Sequence, residues 1–405
     1  MLPPLKVVRA GLRRTTEALA AELARPGSVT PPWSALEWQL AAVAAAVHGM
    51  SPLLCRRCVW RNPSWQSFLT DQREHVEHRH RRIDTLLQHI DAGARARGIA
   101  LVALKGSALH ALGIYAPGDR PMADIDLLVR AEDAAPAIAL LQELGYVESF
   151  AGWKHRVFRP AAGAPFAGLG EHRDTPVNIE LHTRIQERLP VTAVDITARI
   201  RPSQPRPGLN PYPSSGALMN HLLLHAAGNL CNRSLRLLHL HDIALLSARL
   251  SADDWNVLWD EHADAPWYAL PPLLLTARYY PDAIAADVLA RLATCCPTLL
   301  RMASRRQTLT RVSSSDLWLH ALHGIEWSRS VGELGRYLGQ RIRPTQEANQ
   351  ERTDMLRTQL WLQQGSNWTG LSHGRRILAW LTRPVPRMDT MFAVRAALEG
   401  PARAP

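Results

Sequence analysis

The chain has 405 residues, 46% of them hydrophobic and 20% charged; this is globular composition, which excludes a disordered chain and predicts two or three domains. No run approaches the roughly 20 apolar residues that a membrane-spanning helix needs, and the N-terminus lacks the apolar stretch of a signal peptide, so a cytoplasmic location is expected. The net charge of +11 is almost wholly arginine, with lysine only at positions 6, 105 and 154; spread along the chain, it predicts attraction to phosphorylated small molecules rather than a dedicated nucleic-acid surface.

Residues 1–98 read as an N-terminal helical region. Arg13–Arg25 and Trp33–Val47 are rich in Ala and Leu. From Asp71 to Arg97, the residues Val76, Ile83, Leu87, Ile90 and Ala94 fall on one helical face, and Gly98 ends the pattern. The five cysteines, Cys55, Cys58, Cys231, Cys295 and Cys296, are odd in number and unevenly spaced, so no disulfide framework is expected.

Over residues 99–201 the pattern changes. Ile99–Leu104 and Ile125–Val129 are apolar runs of strand length. Between them Ser107–Leu112 predicts a helix with Ser107 as its cap. Ala134–Leu144 is helical and closes at Gly145. Tyr146–Phe150, Arg156–Phe158 and Val177–His182 read as further strands, with a loop over Pro160–Pro176. Strands mixed with helices predict an α+β fold, and the whole chain is helix-rich. Pro202–Pro213 holds five prolines and reads as a linker. Residues 214–365 turn helical again, and 366–405 form a basic, Pro-containing tail with no assigned role.

The chemistry concentrates at three points. Lys105-Gly106-Ser107 follows a strand and opens a helix, where backbone N–H groups can meet phosphate oxygens and glycine permits close approach. Asp124-Ile125-Asp126 places two carboxylates on one strand face, because side chains alternate with period two. Two like charges side by side call for a cation such as Mg²⁺. Glu180, flanked by Ile179 and Leu181 on a later strand, joins them if the two strands are neighbours. Three carboxylates can hold two metal ions for phosphoryl chemistry. Taken singly, each acid is equally a capped strand edge or a salt-bridged residue.

The order Gly-Ser, Asp-x-Asp, then a lone acidic residue resembles the nucleotidyltransferase superfamily with the polymerase-beta-like fold. Leu104-Lys105-Gly106-Ser107-Ala108-Leu109, Tyr115, Arg120-Pro121-Met122 and Asp124-Ile125-Asp126-Leu127-Leu128-Val129 resemble more closely the uncharacterised nucleotidyltransferase family of bacteria. Ile179-Glu180-Leu181-His182 is similar to its acidic-Leu-His element, and His225 and Asp242 to its helical-domain signature. The resemblance covers roughly residues 75–250. It implies a polymerase-beta-like core with flanking helical domains and transfer of NMP from an NTP, ATP being favoured, with release of pyrophosphate. It further implies that Asp124, Asp126 and Glu180 bind two Mg²⁺ ions, that Lys105, Gly106, Ser107 and Arg120 hold the nucleotide, and that His182, His225 and Asp242 support the site. Glu stands at 180 where Asp is common among relatives. Such proteins accompany gene clusters for modified peptides, lasso peptides included, and for surface polysaccharides, which implies a peptide or sugar-phosphate acceptor in natural-product biosynthesis. The rivals are a non-catalytic nucleotide- or partner-binding relative and a nucleic-acid-modifying enzyme.

Other constellations have blander readings. Cys55 and Cys58 with His75, His78 and His80 have irregular zinc spacing and no second Cys pair. His221 and His225 are four apart on a helix, but no Glu follows His221. His225 is expected to bond a carboxylate such as Asp242, with His239 and His241 solvated or packed. Trp255, Trp259 and Trp267 are expected in the core.

Overall fold

The computed structural model describes residues 2–27, 31–57, 60–162, 168–259, 265–320, 322–346, 348–349, 372–382 and 384–399. The first helices are α1 (Leu5–Ala24), α2 (Ala35–Val47), α3 (Ser51–Arg57) and α4 (Pro63–Ala96). Local sequence sets their starts. Ser34 and Glu37 form a reciprocal capping box on α2, and Asn62 accepts the Trp65 N–H at 3.1 Å with Pro63 at the first helical position of α4. Each such cap contributes about 1 kcal/mol. On α4 the buried positions Val76, Ile83, Ile90 and Ala94 lie along the face expected from their spacing.

The α/β region comprises β1 (Ala100–Ala103), α5 (Gly106–Ala111), β2 (Asp124–Val129), α6 (Ala134–Glu143), β3 (Tyr146–Ala151), β4 (Arg156–Pro160), β5 (Asn178–His182), β6 (Gln186–Arg188), β7 (Ala193–Asp195), α7 (Thr197–Ile200) and β8 (Gly208–Asn210). Strands β3-β4-β5-β2-β1-β8 form a mixed six-stranded sheet, and β6 and β7 pair separately. The fold is α+β and helix-rich, as expected. One face of the sheet presents Leu101, Ile125, Leu127, Val129, Ile179 and Leu181 to Ile83, Ile90 and Ala94 of α4 and to Ala137, Leu140 and Leu141 of α6. Burying each large apolar side chain stabilises the fold by about 1.5–3 kcal/mol. The opposite face turns Val102 and Leu128 towards the helices that follow.

Two local expectations change here. The proline-rich stretch 202–213 is more than a linker: Leu209 pairs with Leu101, so β8 extends the sheet in parallel with β1. Prolines stop the strand on both sides, and three residues are too few to show a periodicity. Nor does Ser107 cap α5. The helix begins at Gly106, and Lys105 occupies the cap position with φ +46°.

The later helices are α8 (Ser215–Cys231), α9 (Leu237–Ser247), α10 (Ala252–Asn256), α11 (Leu270–Tyr279), α12 (Ala286–Cys295), α13 (Thr298–Ser304), α14 (Leu309–Val312), α15 (Val331–Ile342), α16 (His373–Thr382) and α17 (Met388–Glu399). One apolar core runs through α1–α3, α8, α9 and α11–α14. The tail region contributes too: Met391 and Val394 of α17 pack with Val8, Leu12, Leu40 and Val43 of α1 and α2. A polar chain ties these layers together. Thr16 Oγ1 donates to Ser315 Oγ at 2.9 Å, His48 Nε2 lies 2.7 Å from the same oxygen, and the Leu237 N–H donates to His48 Nδ1 at 3.0 Å. Burial holds the His48 pKa down at about 3. The imidazole is therefore neutral, with Nδ1 accepting and Nε2–H donating. Among the described residues no helix is long and apolar enough to cross a membrane.

Candidate active site

Parallel pairing of β2 with β5 sets Asp126 directly beside Glu180 and Asp124 beside Asn178. In parallel strands register partners share a face, so Asp124, Asp126, Glu180 and His182 line up together. Ile125 and Ile179 are fully buried on the other face. Both strand starts are held by Arg79 on α4, a buried side chain that sequence reading passed over. Its guanidinium donates to Met122 O at 2.8 Å and to Thr175 O at 2.7 Å. An arginine on the inner face of a helix breaks the amphipathic pattern, and that is the signal by which it could be found.

Lys105 turns back from the end of β1 so that its Nζ reaches Asp126 Oδ1 at 2.7 Å. A non-glycine residue at positive φ costs about 1–3 kcal/mol. Burial works against the ammonium, but Asp126, Glu180 and Asp124 more than restore it, and its pKa is raised. The Lys105 N–H donates to Tyr212 Oη at 3.2 Å, and that hydroxyl lies 2.7 Å from His221 Nδ1. His221 is kept neutral by burial and by Lys105, so its Nδ1 can accept the Tyr212 proton.

The two aspartates differ. Burial would raise Asp126, but Lys105 and His182 hold it well below the carboxylate range. His182 Nε2 lies 3.0 Å from Asp126 Oδ1 and 3.6 Å from Glu180 Oε2. Although burial opposes the imidazolium, those two carboxylates raise the His182 pKa. The Asp124 carboxylate makes no ion pair within 4.0 Å among the described residues. Burial, followed by Asp126 and Glu180, lifts its pKa to about 7. Such a carboxyl beside two others is a donor set that fits a hard divalent cation.

These groups open into a cavity of about 450 Å³. Lys105, Gly106, Ser107 and Arg120 line it together with the three acids. The buried Ser107 Oγ has no hydrogen-bond partner among the described residues. The far wall comes from α8 and α9 with His221, His225, Leu238 and His239, and Asp389 of α17 lies at its edge. Burial keeps His225 and His239 neutral. Exposed Arg236 at the rim exerts its charge on Asp124.

One sequence expectation needs correction, and two cavity residues have further neighbours. Arg120 lines the cavity and is also held by Asp242: its Nε and Nη2 donate to Asp242 Oδ1 and Oδ2 at 2.9 and 2.7 Å, and Tyr115 Oη donates to Asp242 Oδ1 at 2.7 Å. Asp242 therefore does not bond His225, which instead lies 3.1 Å from Asn229 Nδ2 and 3.8 Å from Glu187 Oε1. Gly106 matters for a different neighbour. A Cβ there would lie 2.4 Å from Arg120 Nη1 and 3.0 Å from the Met122 sulfur, so its bareness admits Arg120.

The remaining candidates among the described residues do not line the cavity. Cys58 lies outside the described residues, His75 stacks on His172 and His80 on His110, and Trp255 and Trp267 are core residues. Sequence reading also missed Lys154, which bonds Glu187 at the cavity wall, and its neighbour His155. The rarity of lysine that singles out Lys105 applies equally to Lys154.

A family model described as uncharacterised nucleotidyltransferase matches residues 34–280. No curated protein and no solved structure matches the chain.

Proposed function

Because the chain belongs to the uncharacterised nucleotidyltransferase family, we propose that it moves a nucleoside monophosphate from an NTP, ATP first among them, to an acceptor held in this cavity, with release of pyrophosphate. One observation carries the reading: Asp126 and Glu180 are register partners, Asp124 shares their face, and all three open beside Lys105 into the same cavity. At about 450 Å³ it falls within the size range of small-ligand sites.

Asp124, Asp126 and Glu180 are the residues that would hold Mg²⁺, two ions on this reading, and the oxygen-only donor set suits that ion. Bound there, Mg²⁺ supplies positive charge against the phosphate oxygens. The chain's own groups do the rest. Lys105 stays charged and exchanges Asp126 for phosphate oxygens. The unpartnered Ser107 Oγ donates to phosphate. Arg236, exposed at the rim, joins Arg120 against the phosphates, since a guanidinium suits phosphate geometry. Glu180 accepts the proton of the attacking hydroxyl. The neutral histidines of α8 and α9 line the space left for the acceptor, for which a modified peptide or a sugar phosphate is proposed. Catalysis on this reading is positioning and fixed charge.

The test is to incubate the protein with Mg²⁺, each NTP and candidate acceptors, and to follow products by mass spectrometry and pyrophosphate release. Asp126→Ala should abolish turnover; undiminished activity in that variant sinks the assignment. Nucleotide binding without turnover by the native chain would mark a non-catalytic relative, and labelled nucleic acid would mark the nucleic-acid-modifying reading.

A further inference from the structure

Glu180 does not face the two aspartates alone. On its other side stands His155, from the turn that leads into β4. His155 Nε2 is 3.5 Å from Glu180 Oε1, and His182 Nε2 is 3.6 Å from Glu180 Oε2. The two imidazole rings lie with centroids 4.9 Å apart. Among the described residues, His155, Glu180 and His182 are the group of potential ligands whose donor atoms all fall within 4.8 Å of one another.

The spacing has a chemical meaning. Metal–donor bonds of about 2.0–2.2 Å at a tetrahedral angle set donors roughly 3.4 Å apart. The His–Glu distances of 3.5 and 3.6 Å, one to each oxygen of the Glu180 carboxylate, are close to that span. The donor types select the ion. Imidazole suits first-row transition ions, whereas Mg²⁺ prefers oxygen donors and keeps much of its water. His182 Nε2 also meets Asp126 Oδ1 at 3.0 Å, a contact it exchanges for the ion while Lys105 stays on Asp126 at 2.7 Å; Glu180 is the carboxylate that both imidazoles approach.

We propose that His155, Glu180 and His182 form a binding site for a first-row transition dication of the Zn²⁺ or Mn²⁺ kind, which shares Glu180 with the oxygen-only locus of Asp124 and Asp126. The inference rests on the nucleotidyl-transfer reading only in that Glu180 is shared. It makes His155 a ligand that no sequence pattern marks.

The experiment uses the full chain, stripped with a chelator and titrated with Co²⁺ in the absence of nucleotide. The visible spectrum should show one equivalent of imidazole-ligated Co²⁺, displaced by stoichiometric Zn²⁺ and retained against a large excess of Mg²⁺. His155→Ala and His182→Asn should each weaken Co²⁺ binding by about tenfold or more, while Asp124→Asn leaves it within a few-fold. Equal Co²⁺ affinity in His155→Ala, or ready displacement by Mg²⁺, overturns the proposal. If a variant does not fold, the paramagnetic shift of histidine ring protons in the native chain reads the same ligation, and its absence is equally decisive. NTP turnover with Mg²⁺ is scored separately. Turnover without a Co²⁺ site sinks only this inference, and a Co²⁺ site without turnover sinks only the transfer reading.

Discussion

Asp242→Ala is the substitution for which the structure gives the largest expected effect away from the acids. The carboxylate is 1% exposed and is met by two guanidinium nitrogens and the Tyr115 hydroxyl, all within 2.9 Å. Its removal leaves Arg120, 8% exposed, with a 3.4 Å contact to Pro121 O. Orphaning a buried charge costs about 3–5 kcal/mol, and the stranded hydroxyl adds about 1–3 kcal/mol with some overlap. A total near 4–6 kcal/mol follows from those two terms. The double variant Arg120→Met/Asp242→Leu removes both charges, and its cost should fall to the hydroxyl's share of about 1–3 kcal/mol. Urea unfolding followed by circular dichroism and tryptophan fluorescence measures both. A loss below about 1 kcal/mol for Asp242→Ala, or a double variant no more stable than the single, would refute the reasoning. The double variant should also weaken NTP binding, because Arg120 lines the cavity. Undiminished affinity in a folded double variant would remove Arg120 from the phosphate.

Two further outcomes follow from the same packing. His48 has a native pKa near 3, against 6.5 when unperturbed. The unfolded chain thus binds a proton that the native one refuses. The stability His48 contributes is complete above pH 6.5 and declines as pH falls, with a slope of up to about 1.4 kcal/mol per pH unit. His48→Gln should flatten that slope between about pH 6 and 4 in urea titrations; an unchanged slope removes His48 from the account. Gly106→Ala would set a methyl 2.4 Å from Arg120 Nη1, and overpacking of this kind costs about 1–3 kcal/mol. An alanine variant as stable as the native chain in urea would show that the neighbours give way freely.

The sheet and the acids were legible because their signals are local. Ile125 between Asp124 and Asp126, and Ile179 before Glu180, each fix a face by alternation, and glycines close the adjacent elements. Partner choice was less legible. Whether Asp242 meets His225 or Arg120 depends on how α9 docks, and nothing within residues 237–247 encodes that. His155 stands alone in a turn with no periodic neighbours, and it joins the site only through pairing of β4 with β5, where Val157 lies opposite Glu180. Residues 388–399 are apolar at most positions, so alternation singles out no one face, yet Met391 and Val394 find their place on α1 and α2. In each case the missing information is tertiary, supplied by segments far away in the chain.

The chain of hydrogen bonds through Thr16, His48 and Ser315 has a kinetic consequence. Thr16 and Ser315 are 299 residues apart, and His48 and Ser315 are 267 apart. Closing a loop of that length costs roughly 5 kcal/mol of chain entropy before any contact is rewarded. At synthesis rates of about 5–20 residues per second, the hydroxyl that completes this cluster emerges roughly 15–50 s after His48. During that interval the faces of α1 and α2 that bear Leu19, Leu23, Ala41 and Ala44 lack the later helices of their final core. Helices α1 and α2 are therefore locked well after they are made.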